Sequence, residues 1–291
     1  MSSKSTIRVF EKKEWPEGLS HIPHPPKKLY IEGDILSADL KYLCVVGSRK
    51  YTSYGKEVCE KLIEGLEGYP IAIVSGLAVG IDSISHYSAL KAKLKVVAIP
   101  GSGLSRKVIY PQNNRKLADK IIEAGGTLIS EYEPEFMAML HTFPERNRLM
   151  VAISQAVLII EAGQKSGTLI TARLATDYNK DVLTVPGSIY SKNSEGPHML
   201  LRLGATPITS SADILEALGF ERSEDGQEML DLKYKECSTE EKEMLDLLCE
   251  PVEKDELIRI SNKPAHEINS TLGILEIKGL IKESGGEIYR V

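Results

Sequence analysis

The sequence predicts an α/β protein, a doubly wound parallel sheet followed by a small C-terminal winged-helix-like domain. Two patterns carry the prediction. From Lys41 onward, short apolar runs alternate with helical stretches, as parallel strands do when helices cover both faces of their sheet. Beyond residue 236, three helical signals precede a terminal hairpin signal,. With 42% of its 291 residues hydrophobic and 26% charged, the chain can bury a full core, which excludes disorder, collagen and a disulfide-stapled miniprotein.

Residues 1–40 carry Pro16, Pro23, Pro25 and Pro26. Proline removes a donor and fixes φ, so this stretch is expected as an extended arm with turns. Strands are predicted at Tyr42–Val46, Ile71–Val74, Lys95–Ile99, Thr127–Ser130, Ala156–Ile160 and Val182–Val185, with an edge strand at Thr206–Thr209. Most run into Gly, Ser or Pro, as in Val46-Gly47-Ser48, Val74-Ser75-Gly76, Ile99-Pro100-Gly101 and Val185-Pro186-Gly187. In an open parallel sheet those carboxyl ends face the ligand crevice. Glu221–Glu236 is charged with little apolar periodicity and is expected as a linker,. Ser238-Thr239-Glu240-Glu241 is a capping box ahead of Met244, Leu245 and Leu248,. A short helix near Asp255–Ile260 follows, then a helix started by Pro264, with Ile268, Leu272 and Leu275 on one face, stopped at Gly279,. Leu280-Ile281, Gly285-Gly286 and Ile288–Val291 complete a hairpin. The chain thus divides into an arm (1–40), the α/β domain (41–220), a linker (221–236) and the winged-helix-like domain (237–291).

Cys44, Cys59, Cys237 and Cys249 form no CxxC pair, which argues against a zinc ribbon or a secreted disulfide framework and for a reducing cytoplasm. No apolar run approaches the ~18 residues a membrane helix needs, and the charged N-terminus lacks a signal-peptide core, so neither export nor a membrane span is expected. Between Glu221 and Val291, 18 acidic residues face 10 basic ones; the whole-chain charge of −5 therefore leaves +3 for residues 1–220. A nucleic-acid ligand is not excluded by that balance, because a local basic face attracts phosphate.

Four loops could carry chemistry. Gly47-Ser48-Arg49, ahead of a helix, offers backbone donors and a forked cation to an anion, although a tight turn with a solvated Arg fits the same residues. It lacks the spacings of dinucleotide-binding and P-loop motifs. Ser75-Gly76-Leu77-Ala78-Val79-Gly80-Ile81-Asp82 is a second phosphate-compatible loop. Asp82 equally suits a helix cap, and its partner one turn on, His86, has no further ligands for a metal. Phe143-Pro144-Glu145-Arg146-Asn147-Arg148 could grip a nucleic-acid backbone while Phe143 stacks on a base; arginines tying a loop to the sheet are the alternative. Glu161 to Thr171 brings Lys165, Ser166, Gly167 and Thr168 to a helix start, the strongest local anion signal of the four,.

These motifs, in this order, resemble the DNA-processing protein A family (DprA, or Smf). The likeness spans roughly Trp15 to Leu218. It takes in Trp15-Pro16 through Pro25-Pro26, Leu29-Tyr30 with Gly33, the four loops above, His86 with Ala89-Leu90, Gly101 and Gly103 before Tyr110-Pro111 and Asn114, Ser166 through Ala172, and Val185-Pro186-Gly187 ahead of Gly204-Ala205. The chain departs from the pattern at Ser105, where Asp is common, at Val151-Ala152 in place of Ala-Gly, and in having a reduced or missing N-terminal helical domain.

The resemblance implies an extended Rossmann-like domain that binds single-stranded DNA, forms a homodimer and helps load the RecA recombinase in natural transformation or related recombination. Its binding residues would be Gly47, Ser48, Arg49, Ser75, Gly76, Phe143, Arg146, Asn147, Arg148, Lys165, Ser166, Gly167 and Thr168, with no catalytic residue, cofactor or metal. Arg49, Arg146, Arg148 and Lys165 would track phosphates with little sequence selectivity. The dimer contact is expected around Ser166–Asp177 and His198–Leu203. The competing class is an enzyme, since the fold also resembles the LOG-type nucleoside monophosphate phosphoribohydrolases. Their catalytic Glu position holds Thr171 here, and a neutral hydroxyl cannot replace a carboxylate. The acidic C-terminal domain is expected to contact protein rather than DNA.

Overall fold

Strand β3 (Lys41–Val46) is buried from Tyr42 to Val46, and β4 (Ile71–Ser75) is buried throughout, the continuous burial that a strand covered on both faces requires. These two sit near the middle of a nine-stranded sheet in a computed structural model that describes residues 6–220, 237–248, 251–261, 263–278, 280–284 and 286–290. The other strands are β1 (Arg8–Phe10), β2 (Leu29–Gly33), β5 (Lys95–Ala98), β6 (Thr127–Ser130), β7 (Ala156–Ile159), β8 (Asp181–Thr184) and β9 (Thr206–Pro207). Their order is β1-β2-β6-β5-β4-β3-β7-β8-β9. From β6 to β9 every pairing is parallel; β2 adds to β6, and β1 to β2, antiparallel. The linker expected at Glu221–Glu236 lies outside the described residues.

The two-residue period of a strand sends alternate side chains to opposite faces, and two separate cores result. Leu43 and Val45 join one; Tyr42, Cys44 and Val46 join the other. The first core is covered by α2 (Ser53–Glu64), α3 (Ile81–Lys91), α4 (Arg115–Glu123) and α8 (Ser211–Ala217), the second by α5 (Thr142–Ile153), α6 (Thr168–Asp177) and α7 (Glu195–Arg202). Successive strands β3, β4, β5 and β6 march outward one way; the chain then returns to β7 on the other side of β3 and marches the opposite way. The connecting helices α2 and α3 of one half and α6 and α7 of the other therefore lie on opposite faces, as right-handed crossovers require when the direction of march changes, and the order reverses between β3 and β7,.

Residues 8–33 correct the expectation of a mere extended arm. They supply β1, β2 and the short helix α1 (Gly18–His21), and Phe10, Leu19, Leu29 and Ile31 are buried in the second core. All four prolines fall between the strands rather than in them, so the ladder loses no donor. Trp15 ties the connection down, its indole Nε1 donating to the Phe10 carbonyl at 2.8 Å. The edge strand β9 is shorter than predicted because the amides of Thr209 and Ser210 donate to the Asp213 carboxylate, at 2.8 and 2.9 Å, and so start α8.

A second compact unit follows a division between Arg222 and Ser223. It holds helices Thr239–Leu247, Lys254–Ser261 and Ala265–Ile277 and a three-stranded antiparallel sheet in the order Val252–Glu253, Glu287–Arg290, Ile281–Ser284. The capping box is formed: Glu241 N donates to Ser238 Oγ at 3.2 Å and Ser238 N to Glu241 Oε2 at 2.9 Å. Met244, Leu245, Leu257, Ile268, Leu272, Leu275 and Ile288 make its core.

Replacing Ile31 with Ala is expected to cost about 2–4 kcal/mol in urea unfolding, because β2 is part of the sheet and its side chain is fully buried,. A loss below about 1 kcal/mol would mean that residues 8–33 lie on the domain rather than in it.

Candidate functional site

At the reversal, the loops leaving β3 and β7 turn to opposite faces and leave a crevice of about 670 Å³ above the strand ends,. The structure brings together there Gly47, Ser48, Arg49, Phe143, Arg146, Asn147, Lys165, Ser166, Gly167 and Thr168. One hydroxyl ties its halves: Thr168 Oγ1 donates to the Gly47 carbonyl at 3.2 Å, and Thr168 N donates to Ser166 Oγ at 3.2 Å. The β4–α3 loop packs beneath. Gly80 has φ +87°, and a Cβ there would lie 2.4 Å from the Ser48 carbonyl oxygen, so both backbone and space demand glycine,.

The crevice floor is a buried charge cluster. Arg146 is only 5% exposed; its Nη1 donates to the Ile99 carbonyl and its Nη2 lies 3.9 Å from Asp82 Oδ2. Gly76 makes room for it, since a Cβ there would sit 1.8 Å from Nη1. Asp82 also accepts from the amides of Gly76 (3.2 Å) and Ala78 (3.4 Å). Burial pushes the Asp82 carboxyl up, opposed by Arg146, and pushes the Arg146 guanidinium down, opposed by Asp82,. His86, one turn along α3 and fully buried, has no hydrogen-bond partner on either ring nitrogen among the described residues. Burial first, and Arg146 second, lower its pKa to about 3.

Three predicted residues fall elsewhere or turn inward. Ser75 is buried and its Oγ donates to the Val45 carbonyl at 2.6 Å. The Gly76 amide is spent on Asp82. Arg148 pairs with Glu131 and lines a second cleft beside Tyr132 and Glu145. Positions 146 and 148 stand about 200° apart around α5, so they cannot face one groove. Backbone donors expected in the β7–α6 loop are also largely used internally: Ser166 N donates to Gly163 O, Leu169 N to Ser166 O and Ile170 N to Gly167 O.

What the crevice offers a ligand is therefore side-chain charge. Arg49, Lys50 and Lys165 are exposed, and none has an ion-pair partner among the described residues. With Arg146 they set four cations against one lining carboxylate, Asp82. The Arg49 guanidinium lies 5.3 Å from the centroid of the Phe143 ring, and that ring lies 5.7 Å from Tyr110, which makes a cation and two aromatics a continuous surface.

Lys50 and Asn193 also line the crevice, and Glu161 supports it, beyond the binding residues that the sequence motifs suggest. Glu161 is buried, accepts from Thr52 N at 2.9 Å and from the Thr52 hydroxyl, and receives Asn193 Nδ2 at 3.3 Å; the same Nδ2 donates to the Lys50 carbonyl at 2.7 Å. This latch fixes the Arg49-Lys50 loop. A carboxylate closing the apolar strand β7 was a visible signal for Glu161; Asn193, 32 residues away, had none. No cluster of metal-ligating side chains occurs among the described residues.

A family model described as DNA recombination-mediator protein A matches residues 6–219. Protein Smf of Escherichia coli is 38% identical over 195 residues, covering 67% of this chain and 52% of that protein, so the match spans about half of its length. DNA processing protein DprA of Streptococcus pneumoniae is 38% identical over 206 residues, 71% of this chain and 72% of that one. An X-ray structure of the pneumococcal protein superposes with TM-score 0.69 at 36% identity, covering 76% of each chain. A structure of DNA processing protein A from Helicobacter pylori, described for its single-stranded DNA binding mode, gives TM-score 0.65 at 32% identity over 75% of this chain and 98% of that one.

The depressed His86 value makes stability depend on pH. Between about 6.5 and about 3 the unfolded chain binds a proton that the folded chain refuses, so stability rises with pH through that window and falls as the pH drops, by up to about 1.4 kcal/mol per unit. His86→Leu should flatten this slope in urea unfolding at pH 7, 6 and 5. An unchanged slope would show that His86 takes up its proton in the folded state.

Proposed function

The chain belongs to the DNA recombination-mediator protein A family, and from that premise we propose that its switch-point crevice binds single-stranded DNA during DNA processing in transformation and recombination. The observation that carries this is the four-to-one excess of cations lining a crevice whose exposed Arg49 stacks on Phe143 beside Tyr110. Arg49, Lys50 and Lys165 hold phosphates and release their counterions. Affinity therefore falls with salt and carries little sequence preference. Arg146, locked in the floor, contributes positive potential and shape rather than a mobile clamp. The aromatic pair takes bases, whose faces are free in a single strand.

Catalysis is not part of this function. Thr171, at the carboxylate position of the phosphoribohydrolases, is buried against the crevice, and its hydroxyl supplies neither a general base nor a cation stabiliser. No cofactor or metal is required. The protein works as a homodimer in the cytoplasm and passes the strand to RecA recombinase. Exposed Met199 and Leu203, on and just after α7, support an apolar dimer contact there,. No helix among the described residues is long and apolar enough to cross a membrane.

The C-terminal unit has the helix and hairpin content of a winged-helix-like domain. Its helix Ala265–Ile277 exposes His266, Glu267, Ser270, Ile274 and Ile277, a surface with too little positive charge to neutralise duplex phosphates. It serves as a protein-contact module.

Arg49→Ala and Lys165→Ala should each weaken binding of an oligothymidylate several-fold and reduce the slope of log affinity against log salt by about 0.7. Wild-type affinity with an unchanged slope in both would remove the crevice from consideration. A chain ending at Leu218 should bind the same oligonucleotide within a few-fold of full length and remain dimeric in light scattering. A large loss of DNA affinity would assign the strand to the C-terminal unit, and a monomer would move the dimer contact there.

A further inference from the structure

The loop before α5 holds apolar side chains outward although its backbone is tied down. At one end Phe136 N donates to the Glu133 carbonyl and Phe136 O accepts from Gly103 N, both at 2.9 Å, while the Phe136 ring stacks 4.8 Å from Tyr132. At the other, Met139 N donates to Thr142 Oγ1 at 3.2 Å and Met139 O accepts from Thr142 N at 3.1 Å. Pinned at Phe136 and Met139, the segment leaves Met137 70% and Leu140 91% exposed. A lone exposed leucine is ordinary. Leu140, however, lines the cationic crevice together with Phe143, and Ile170, exposed on the first turn of α6, lines it as well.

Apolar side chains give nothing to a phosphate, and a duplex presents its phosphates while hiding its base faces. An unpaired strand presents both. We propose that Leu140 and Ile170 are specificity residues that receive unpaired nucleobases while Arg49, Lys50 and Lys165 hold the flanking phosphates. The preference for single strands over duplex then comes from apolar contact with bases, and the cations alone do not discriminate. The occupant is a base rather than an apolar protein surface because the side chains stand within the crevice whose lining cations call for a polyanion. This inference rests on the crevice being the DNA site.

The test uses the full-length chain with Leu140→Ser, Ile170→Ser and the double substitution, titrated by fluorescence anisotropy at several salt concentrations. The probes are an oligothymidylate, an abasic strand of equal length that keeps the phosphates and lacks the bases, and a duplex. The double variant should lose about tenfold or more for oligothymidylate, the loss of apolar surface buried against bases, bind the abasic strand and the duplex as the wild type does, keep the wild-type salt slope and retain the wild-type melting temperature, since both side chains are exposed. Unchanged oligothymidylate affinity would overturn the assignment, as would an equal loss on the abasic strand. A change in oligomeric state with DNA affinity retained would overturn it in favour of a contact between copies. Wild-type protein that binds neither single strand would instead overturn the DNA site on which the proposal stands.

Discussion

A parallel sheet that builds outward in both directions from its middle sends its crossovers to opposite faces, and where the two halves part no helix can cover the strand ends. That constraint decides where this molecule can hold a ligand. Strands β3 and β7 flank the parting, and their loops bring Arg49, Lys50 and Lys165 to one crevice from positions more than a hundred residues apart. The Thr168 hydroxyl bridging to the Gly47 carbonyl, and Glu161 reaching across to Thr52, keep the two loops in register with each other. Neither loop would be a site alone.

Beneath the exposed cations lies a buried one. Arg146 sits with Asp82 under the crevice, and a buried pair of this kind brings little net stability because desolvation offsets most of the attraction. What it supplies is geometry. The guanidinium fills the space left by Gly76 and holds the Ile99 carbonyl, so the ends of β4 and β5 are fixed to α5. Phe143, three residues earlier on α5, is thereby placed against Arg49. The exposed rim and the buried floor thus differ in what they leave open to solvent, and both draw on arginines that look alike in the sequence.

That likeness is why the two arginines' different roles are not legible in the sequence. The parallel strands were legible because burial on both faces forces continuous apolar runs, and the loops were legible because glycine and serine follow them. The burial of Arg146 depends on the missing side chain at Gly76, 70 positions away, and nothing local records it. Arg148 was within reach of simple geometry: two residues along a helix is more than half a turn, which sends it to Glu131 on the opposite side,. Strands β1 and β2 were obscured by prolines that interrupt the connection and spare the strands. In the C-terminal unit the hairpin was visible in Gly285-Gly286, whereas the third strand is only Val252–Glu253, too short to have a period.

The proposed DNA site is the crevice at the strand reversal, to the exclusion of other surfaces. Hydrogen–deuterium exchange on the intact chain, with and without saturating oligothymidylate, tests it most directly, because it asks every backbone amide at once. Slowed exchange is expected at residues 47–52, 140–147 and 163–168, with none in residues 237–290. Protection confined to the C-terminal helices, or to the β1–β2 edge, with the crevice loops unchanged, would contradict it.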